Sequence, residues 1–332
     1  MGAKEISYTT AMSFSAANSL PLKIFLDKEL VESVQNKRIL PRHIQLNPEN
    51  KCTQNCSWCS CSNRDKSLEM SYETIMDVMR KFKSLGAKGC TITGGGEFLC
   101  HPRANDIISG IYDLGIDIGL VTNSDLMYKL KESDLEKITW VRISSGDEKK
   151  VDEDFWINLV QAVKRGKKVD WSFSYVIANN KPNYDLIRNI IGCANYYNFT
   201  HVRLVNDIFN ANKLTDAMNS IKVRLRKNGV NDSKVIYQDR GVWTSGTKKC
   251  LISLLKPVIT ADGKLAPCCG EQYKDNPPVR DYIGDWGTIN EIDKIWEEQR
   301  CYDGSKCSKC YYDNYNVLLS TLLEEIKHKN FV

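Results

Sequence analysis

The chain has 332 residues, 42% apolar and 26% charged, with a formal net charge of +5. Such a length suits one large α/β domain or two domains with a sizeable core, and no run approaches the 18 or so apolar residues of a membrane span. Met1–Ser19 lack the charged and apolar regions of a secretory signal. Thirteen cysteines in short spacings argue for metal binding in a reducing cytoplasm over a disulfide framework. The mild positive charge hints at an anionic substrate, although solvated runs such as Lys164-Arg165-Gly166-Lys167-Lys168 account for it more simply.

Residues 1–40 carry no motif and read as an N-terminal extension with a short helix near Asp27–Val34. After Pro41, a strand over Ile44–Leu46 delivers the loop Cys52-Thr53-Gln54-Asn55-Cys56-Ser57-Trp58-Cys59. Its C-x3-C-x2-C spacing offers three thiolates from one compact turn. Three thiolates can hold three irons of a 4Fe–4S cubane and leave the fourth iron open, whereas a closed tetrahedral zinc site takes four protein ligands. Cys61, two residues on, keeps a four-thiolate zinc site or a closed cluster open as readings. Incidental buried thiols are the third.

Behind the loop, Ser71 is placed to cap a helix in which Ile75, Val78, Met79, Phe82 and Leu85 recur at helical spacing, with Gly86 as its stop. A strand over Cys90–Thr93 then runs into Gly94-Gly95-Gly96-Glu97. Glycines at a strand end let the backbone approach a ligand without Cβ clashes, and Glu97 adds a carboxylate able to accept from an ammonium group. His101-Pro102 reads as the opening of the next helix, 104–114, followed by strand 118–121 ending in Thr122-Asn123. A charged helical stretch over Ser124–Glu136 leads to strand 138–143, ending in Ser144-Ser145-Gly146-Asp147. Helices 154–165, 184–196 and 214–226 alternate with strands 171–177, 201–205 and 234–238. Such alternation implies βαβ crossovers and a parallel sheet. The polar strand ends mark its carboxyl edge, where ligands sit in parallel α/β folds.

Past Gly241 the pattern changes, placing a boundary near residue 240. Pro257–Leu265 reads as a hairpin with Asp262-Gly263 at its turn, and cysteines return at 250, 268, 269, 301, 307 and 310. A helix over Ile289–Glu298 and an amphipathic helix through Leu318, Leu319, Leu322, Leu323 and Ile326 finish the chain. Cys250, Cys268 and the C-x2-C pair Cys307 and Cys310 supply four thiolates, enough for zinc or for a complete Fe–S cluster. Cys61, Cys90, Cys100, Cys193 and Cys301 read as core or spare thiols.

These motifs together resemble the radical S-adenosylmethionine (radical SAM) superfamily. Its C-x3-C-x-aromatic-C loop is met by Cys52, Cys56, Trp58 and Cys59, and its strand-end Gly-Gly-Glu by Gly95-Gly96-Glu97, preceded by Gly94. The likeness covers roughly residues 40–240. It implies an α/β fold, a partial (β/α)6 TIM-like barrel over 41–240, with a 4Fe–4S cluster on Cys52, Cys56 and Cys59 binding SAM at its open iron. Gly94, Gly95, Gly96 and Glu97 would hold the methionine ammonium, Trp58 would lie by the adenine, and Asn123 and Ser144 would contact SAM. Residues 241–332 resemble the twitch form of a SPASM-type auxiliary domain, small and α+β, in their hairpin followed by Cys268 and in Tyr282-Ile283-Gly284-Asp285 running to the helix of Trp296. No cysteine follows Cys310, so one auxiliary cluster, again of the 4Fe–4S type, is expected on Cys250, Cys268, Cys307 and Cys310 rather than two.

The resemblance implies reductive cleavage of SAM to a 5′-deoxyadenosyl radical that abstracts hydrogen from a small-molecule or peptide substrate. The auxiliary cluster would accept an electron, favouring oxidation or cross-linking, with flavodoxin or ferredoxin as electron donor. Cys269, beside a proposed ligand, is the candidate catalytic side chain. The short stretch before the cysteine loop leaves little room for a leader-peptide-binding domain. Tyr311, Tyr312 and Tyr315 keep a nucleotide or nucleic-acid substrate open through base stacking, with domain packing as the simpler account. The reading from another class is a non-enzymatic zinc protein that binds nucleic acid through cysteine knuckles. No membrane partner is expected.

Overall fold

A computed structural model describes residues 22–146, 151–208, 210–239, 244–272 and 286–324. Residues 1–21, Asp147, Gly241, Tyr282–Asp285 and Ile326, on which parts of the sequence reading rest, lie outside the described residues. The first helix, α1 (Lys28–Gln35), is capped by Asp27, whose carboxylate accepts from Leu30 N. Strand β1 (His43–Leu46), helix α2 (Tyr72–Ser84) and strand β2 (Gly89–Ile92) follow. Helix α2 starts where Ser71 Oγ accepts from Thr74 N, and the chain turns away from it at Gly86, whose φ of +108° suits glycine alone. The alternation continues through α3 (Ala104–Asp113), β3 (Asp117–Thr122), α4 (Glu132–Leu135) and β4 (Trp140–Gly146). Then come α5 (Glu153–Arg165), β5 (Asp170–Ile177), α6 (Tyr184–Tyr196), β6 (His201–Asn206), α7 (Thr215–Lys227) and β7 (Val235–Gln238).

One expected element is different. Ser124–Glu136 is not a continuous charged helix: it forms a 3-10 turn over Met127–Lys129 and the single-turn α4, with extended backbone at Leu130 and Lys131 between them. Tertiary contacts decide this. Met127 and Leu130 are buried, and Arg165 donates to both of their carbonyls, taking acceptors that a longer helix would use.

The remaining elements are α8 (Ile252–Leu255), β8 (Val258–Ile259), β9 (Leu265–Ala266), α9 (Ile292–Glu298) and α10 (Asp313–Leu323). The strands form one sheet in the order β7-β6-β5-β4-β3-β2-β1-β8-β9. All pairs are parallel except β8–β9, the expected hairpin. That hairpin extends the sheet of the first region, with Gln45 opposite Val258 and Leu46 opposite Ile259. The regions on either side of residue 240 also share one hydrophobic core. Trp296 of α9, only 1% exposed, stands edge-on to Phe82 of α2 at 5.1 Å between ring centroids and donates Nε1 to Leu254 O.

Successive side chains of a strand face opposite sides of the sheet. Ile143, Phe173, Tyr175 and Leu204 are fully buried in the core, whereas Arg142, Ser144, Ser174 and Arg203 line a cavity of about 260 Å³. Residues near the carboxyl ends of β2 through β6 meet at that cavity, which requires the sheet to curl as a partial barrel. Among the described residues, no helix is long and apolar enough to cross a membrane.

Candidate active site

The loop after β1 carries Cys52, Cys56 and Cys59 to the cavity wall. Two buried groups hold it there. Arg64, 7% exposed, donates Nε to Asn50 O at 2.7 Å and Nη1 to Cys61 O at 2.7 Å, and the same Nη1 reaches Cys59 Sγ at 3.8 Å. Asn123, at the end of β3, donates Nδ2 to Thr53 Oγ1 at 2.8 Å and lies 3.8 Å from Cys52 Sγ. Neither arginine nor latch was expected from sequence, because Arg64 sits in a polar loop with no periodic signal.

Cys61, read either as a fourth local thiolate or as a spare thiol, lies against this loop and lines the same cavity. It is buried, donates to Gly94 O at 3.6 Å and accepts from Gln272 Nε2 at 3.5 Å. Its hydrogen bond to Cys59, helped by the Arg64 charge, lowers the Cys59 thiol to about 6 against the opposing effect of burial. The same bond and burial push Cys61 well up. Cys61 and Arg64 thus both lie beside the Cys59 sulfur and favour its charged form. Burial raises the Cys52 thiol, while Gln54 N donates to its sulfur at 3.4 Å. Among the described residues, no three Cys, His or acidic side chains are closed around a point that one metal ion could fill.

The glycine turn is packed against this loop. A Cβ on Gly96 would lie 1.9 Å from Lys51 O, and one on Gly94 would lie 1.5 Å from Gly96 O. Gly96 N donates to Glu49 O and Glu97 N to Lys51 O, so the turn is stitched to the residues just before Cys52. Glu97 is 3% exposed. Its Oε1 accepts from Thr122 Oγ1 at 2.8 Å and Leu99 N at 3.2 Å, and its Oε2 from Asn123 N at 2.7 Å. The carboxylate therefore ties β2 to β3.

Trp58 lies against the end of β4, where a Cβ on Gly146 would come within 2.7 Å of the indole, and its buried Nε1 meets no acceptor among the described residues. Ser144 lines the same cavity. So do Arg142 and Arg203, neither of which was named as a site residue. The signal for them exists: Val141-Arg142-Ile143 and Val202-Arg203-Leu204 each set one cation into an apolar strand.

The second cysteine set gathers where two loops run side by side. Cys310 N donates to Thr244 O at 2.7 Å, Gly246 N to Cys307 O at 2.9 Å and Cys250 N to Tyr302 O at 2.9 Å. Burial, then the neighbouring Cys310 and Cys301, pushes the Cys250 thiol up to about 12. Burial, and then the proximity of Cys269 and Cys250, also holds the Cys268 thiol well above its ordinary value. Cys250, Cys268 and Cys310 thus share one neighbourhood, with Cys307 on the same loop. Cys269 Sγ stands 3.6 Å from the hydroxyl of buried Tyr312. Gln272, three residues further, accepts from Asn47 Nδ2 at 2.7 Å and Gln45 Nε2 at 3.1 Å and reaches Cys61, linking this region to β1 and to the first cysteine loop. Tyr312 and Tyr315 are buried in the core, as the packing account expects.

Residues 46–172 match the sequence profile of the Radical SAM superfamily. Among solved structures, the chain is similar to SuiB of Streptococcus suis bound to precursor peptide SuiA, at 14% identity and a TM-score of 0.53, over 92% of this chain and 79% of that one. It is also similar to anSMEcpe with bound AdoMet and Kp18Cys peptide, at 15% identity and a TM-score of 0.52, over 88% and 86% of the two chains. At these identities the likeness is one of fold. No curated protein matches the chain.

Proposed function

We propose, from the premise that residues 46–172 form a domain of the radical SAM superfamily, that the chain is a radical SAM enzyme acting on a substrate held in the curled sheet, with an auxiliary Fe–S cluster on its second cysteine set. The observation that carries this reading is the convergence of Cys52, Cys56, Cys59 and the Gly94–Glu97 turn on one cavity at the carboxyl ends of the strands. Cys52, Cys56 and Cys59 would hold a 4Fe–4S cluster, leaving an iron for the amino and carboxylate groups of SAM. Such a cluster, once reduced, supplies the electron that cleaves SAM to methionine and a 5′-deoxyadenosyl radical able to abstract hydrogen from substrate.

The chain's own residues position and exclude. Arg64, Cys61 and Asn123 orient the cysteine loop. Glu97 and the glycine backbone form the methionine-facing wall, while Trp58 and Ser144 form the adenosyl-facing one. The enclosing sheet keeps water from a reactive carbon centre. Cys250, Cys268, Cys307 and Cys310 would close the auxiliary cluster with four thiolates, which suits it to accept an electron and favours net oxidation or cross-linking of a peptide or small molecule. Cys269, paired with Tyr312, is the candidate side chain nearest that route. A flavodoxin or ferredoxin would supply the first electron.

Anaerobic reconstitution should give a brown protein with about eight irons per chain. With dithionite and SAM it should form 5′-deoxyadenosine, and Cys56→Ala should abolish that product. A colourless, zinc-loaded protein that makes none would replace this reading with the zinc-binding one.

A further inference from the structure

We propose that Gln272, contributed by the region after residue 240, is a positioning residue for the SAM site: through Cys61 it holds the glycine turn against the first cysteine loop. The proposal rests on the radical SAM reading above and deepens it, because it makes the SAM site incomplete without the second region. Gln272 lies four residues beyond Cys268, on the stretch that follows β9 of the hairpin. That hairpin is anchored on β1, where Gln45 N donates to Pro257 O at 2.9 Å and Asn47 N to Ile259 O at 2.8 Å.

The side chains of Gln45, Asn47 and Gln272 are all buried and bond to one another. Gln45 and Asn47, two residues apart, project to the same side of the strand. Asn47 Oδ1 accepts from Gln45 Nε2 at 3.4 Å, so its Nδ2 is the group that donates to Gln272 Oε1 at 2.7 Å. Gln45 Nε2 donates to the same Oε1 at 3.1 Å. Two donors on its oxygen fix the Gln272 amide and turn Nε2 toward Cys61 Sγ, 3.5 Å away. Cys61 in turn donates to Gly94 O at 3.6 Å. A thiol that accepts a hydrogen bond is the better donor for it, since bonds in series polarise one another in a low-dielectric interior. Gly94 opens a turn folded tightly on itself, where a Cβ would meet Gly96 O at 1.5 Å, and whose far end is held by Gly96 N on Glu49 O. The Cys61 bond is therefore a hold on the near end of that turn. Burying an amide costs more than burying an apolar side chain of the same size; what the amide adds is direction.

Titration calorimetry of SAM into the anaerobically reconstituted full chain tests the assignment, with the electron paramagnetic resonance spectrum of the dithionite-reduced chain recorded with and without SAM. Gln272→Met, which keeps length without an amide, and Cys61→Ala are each expected to weaken SAM binding about fivefold, the size of one buried hydrogen bond, at unchanged iron content. The double variant should also lose only about fivefold, since both changes cut one link. Cys61→Ser, which can still accept from Gln272 and donate to Gly94 O, should stay within about twofold of the parent. The spectral change produced by SAM should be altered in Gln272→Met and Cys61→Ala and retained in Cys61→Ser.

SAM affinity and spectrum unchanged in Gln272→Met overturn the assignment. Losses that multiply to about 25-fold in the double variant also overturn it, by showing that the two side chains act separately. So does a Gln272→Met chain that fails to fold or loses iron in step with SAM binding, which would make Gln272 a structural residue. A parent chain that holds zinc and binds no SAM removes the radical SAM reading and this assignment together, whereas one that cleaves SAM while its variants bind SAM as the parent does removes the assignment alone.

Discussion

Arg64 donates to two backbone carbonyls and approaches Cys59 Sγ from a buried position. Arg64→Ala would remove the buried side-chain donor to Asn50 O, while Cys61 O keeps the backbone N–H of residue 64. Denaturant unfolding of the metal-free chain should show a loss of about 1–3 kcal/mol, and reconstituted iron content should fall with it. An unchanged midpoint would mean the loop is held by other contacts. His201 carries a pH prediction. Its folded pKa is pulled down to about 3 from 6.5, by burial first and then by Arg142 and Arg203. As pH falls below 6.5 the unfolded chain takes up a proton that the folded chain refuses, so the histidine's contribution is present above 6.5 and is lost as pH falls toward 3. His201→Gln should flatten the stability curve across that window. At this scale spacing singled out Cys52, Cys56, Cys59 and Glu97 as candidates and left Cys61 open beside them. Arg64 and Gln272 carried no signal, because what brings them to the loop is a tertiary contact.

Elements carry the cysteine loop and the glycine turn into register. Gly96→Ala would drive a Cβ to within 1.9 Å of Lys51 O, a backbone atom that cannot swing aside. A loss of at least about 3 kcal/mol is expected, with SAM binding weakened by displacement of the turn; calorimetric SAM affinity measures it. Ser71→Ala is the contrasting case. It removes the exposed cap bond to Thr74 N at 3.1 Å at the start of α2 and should cost about 1 kcal/mol without altering SAM affinity. Caps such as Ser71 and stops such as Gly86 are local devices, which is why the boundaries of α2 could be read in advance. Ser124–Glu136 misled for the opposite reason: its charges suit a helix, but Met127 and Leu130 are drawn inward and Arg165 takes their carbonyls.

At the scale of the whole molecule, the region after residue 240 completes the sheet. Removing it would bare the edge of β1 where β8 pairs and strip Trp296 from Phe82. A chain ending at Asp239 is therefore expected to be insoluble or to lack a cooperative unfolding transition by near-ultraviolet circular dichroism, since an open strand edge and an uncovered aromatic contact invite association. A sharp transition from the truncated chain would show the first region to be self-sufficient.

Residue types and their spacings alone determined the alternating α/β order, the three-thiolate loop, the glycine turn and the four later thiolates, because each is written within a few consecutive residues. Only the tertiary structure decided that β8 joins β1, that Gln272 donates to Cys61, and that Arg203 donates to Ser174. Those outcomes depend on sheet register and curl, which bring together side chains tens to hundreds of positions apart and leave no local pattern from which to foresee them.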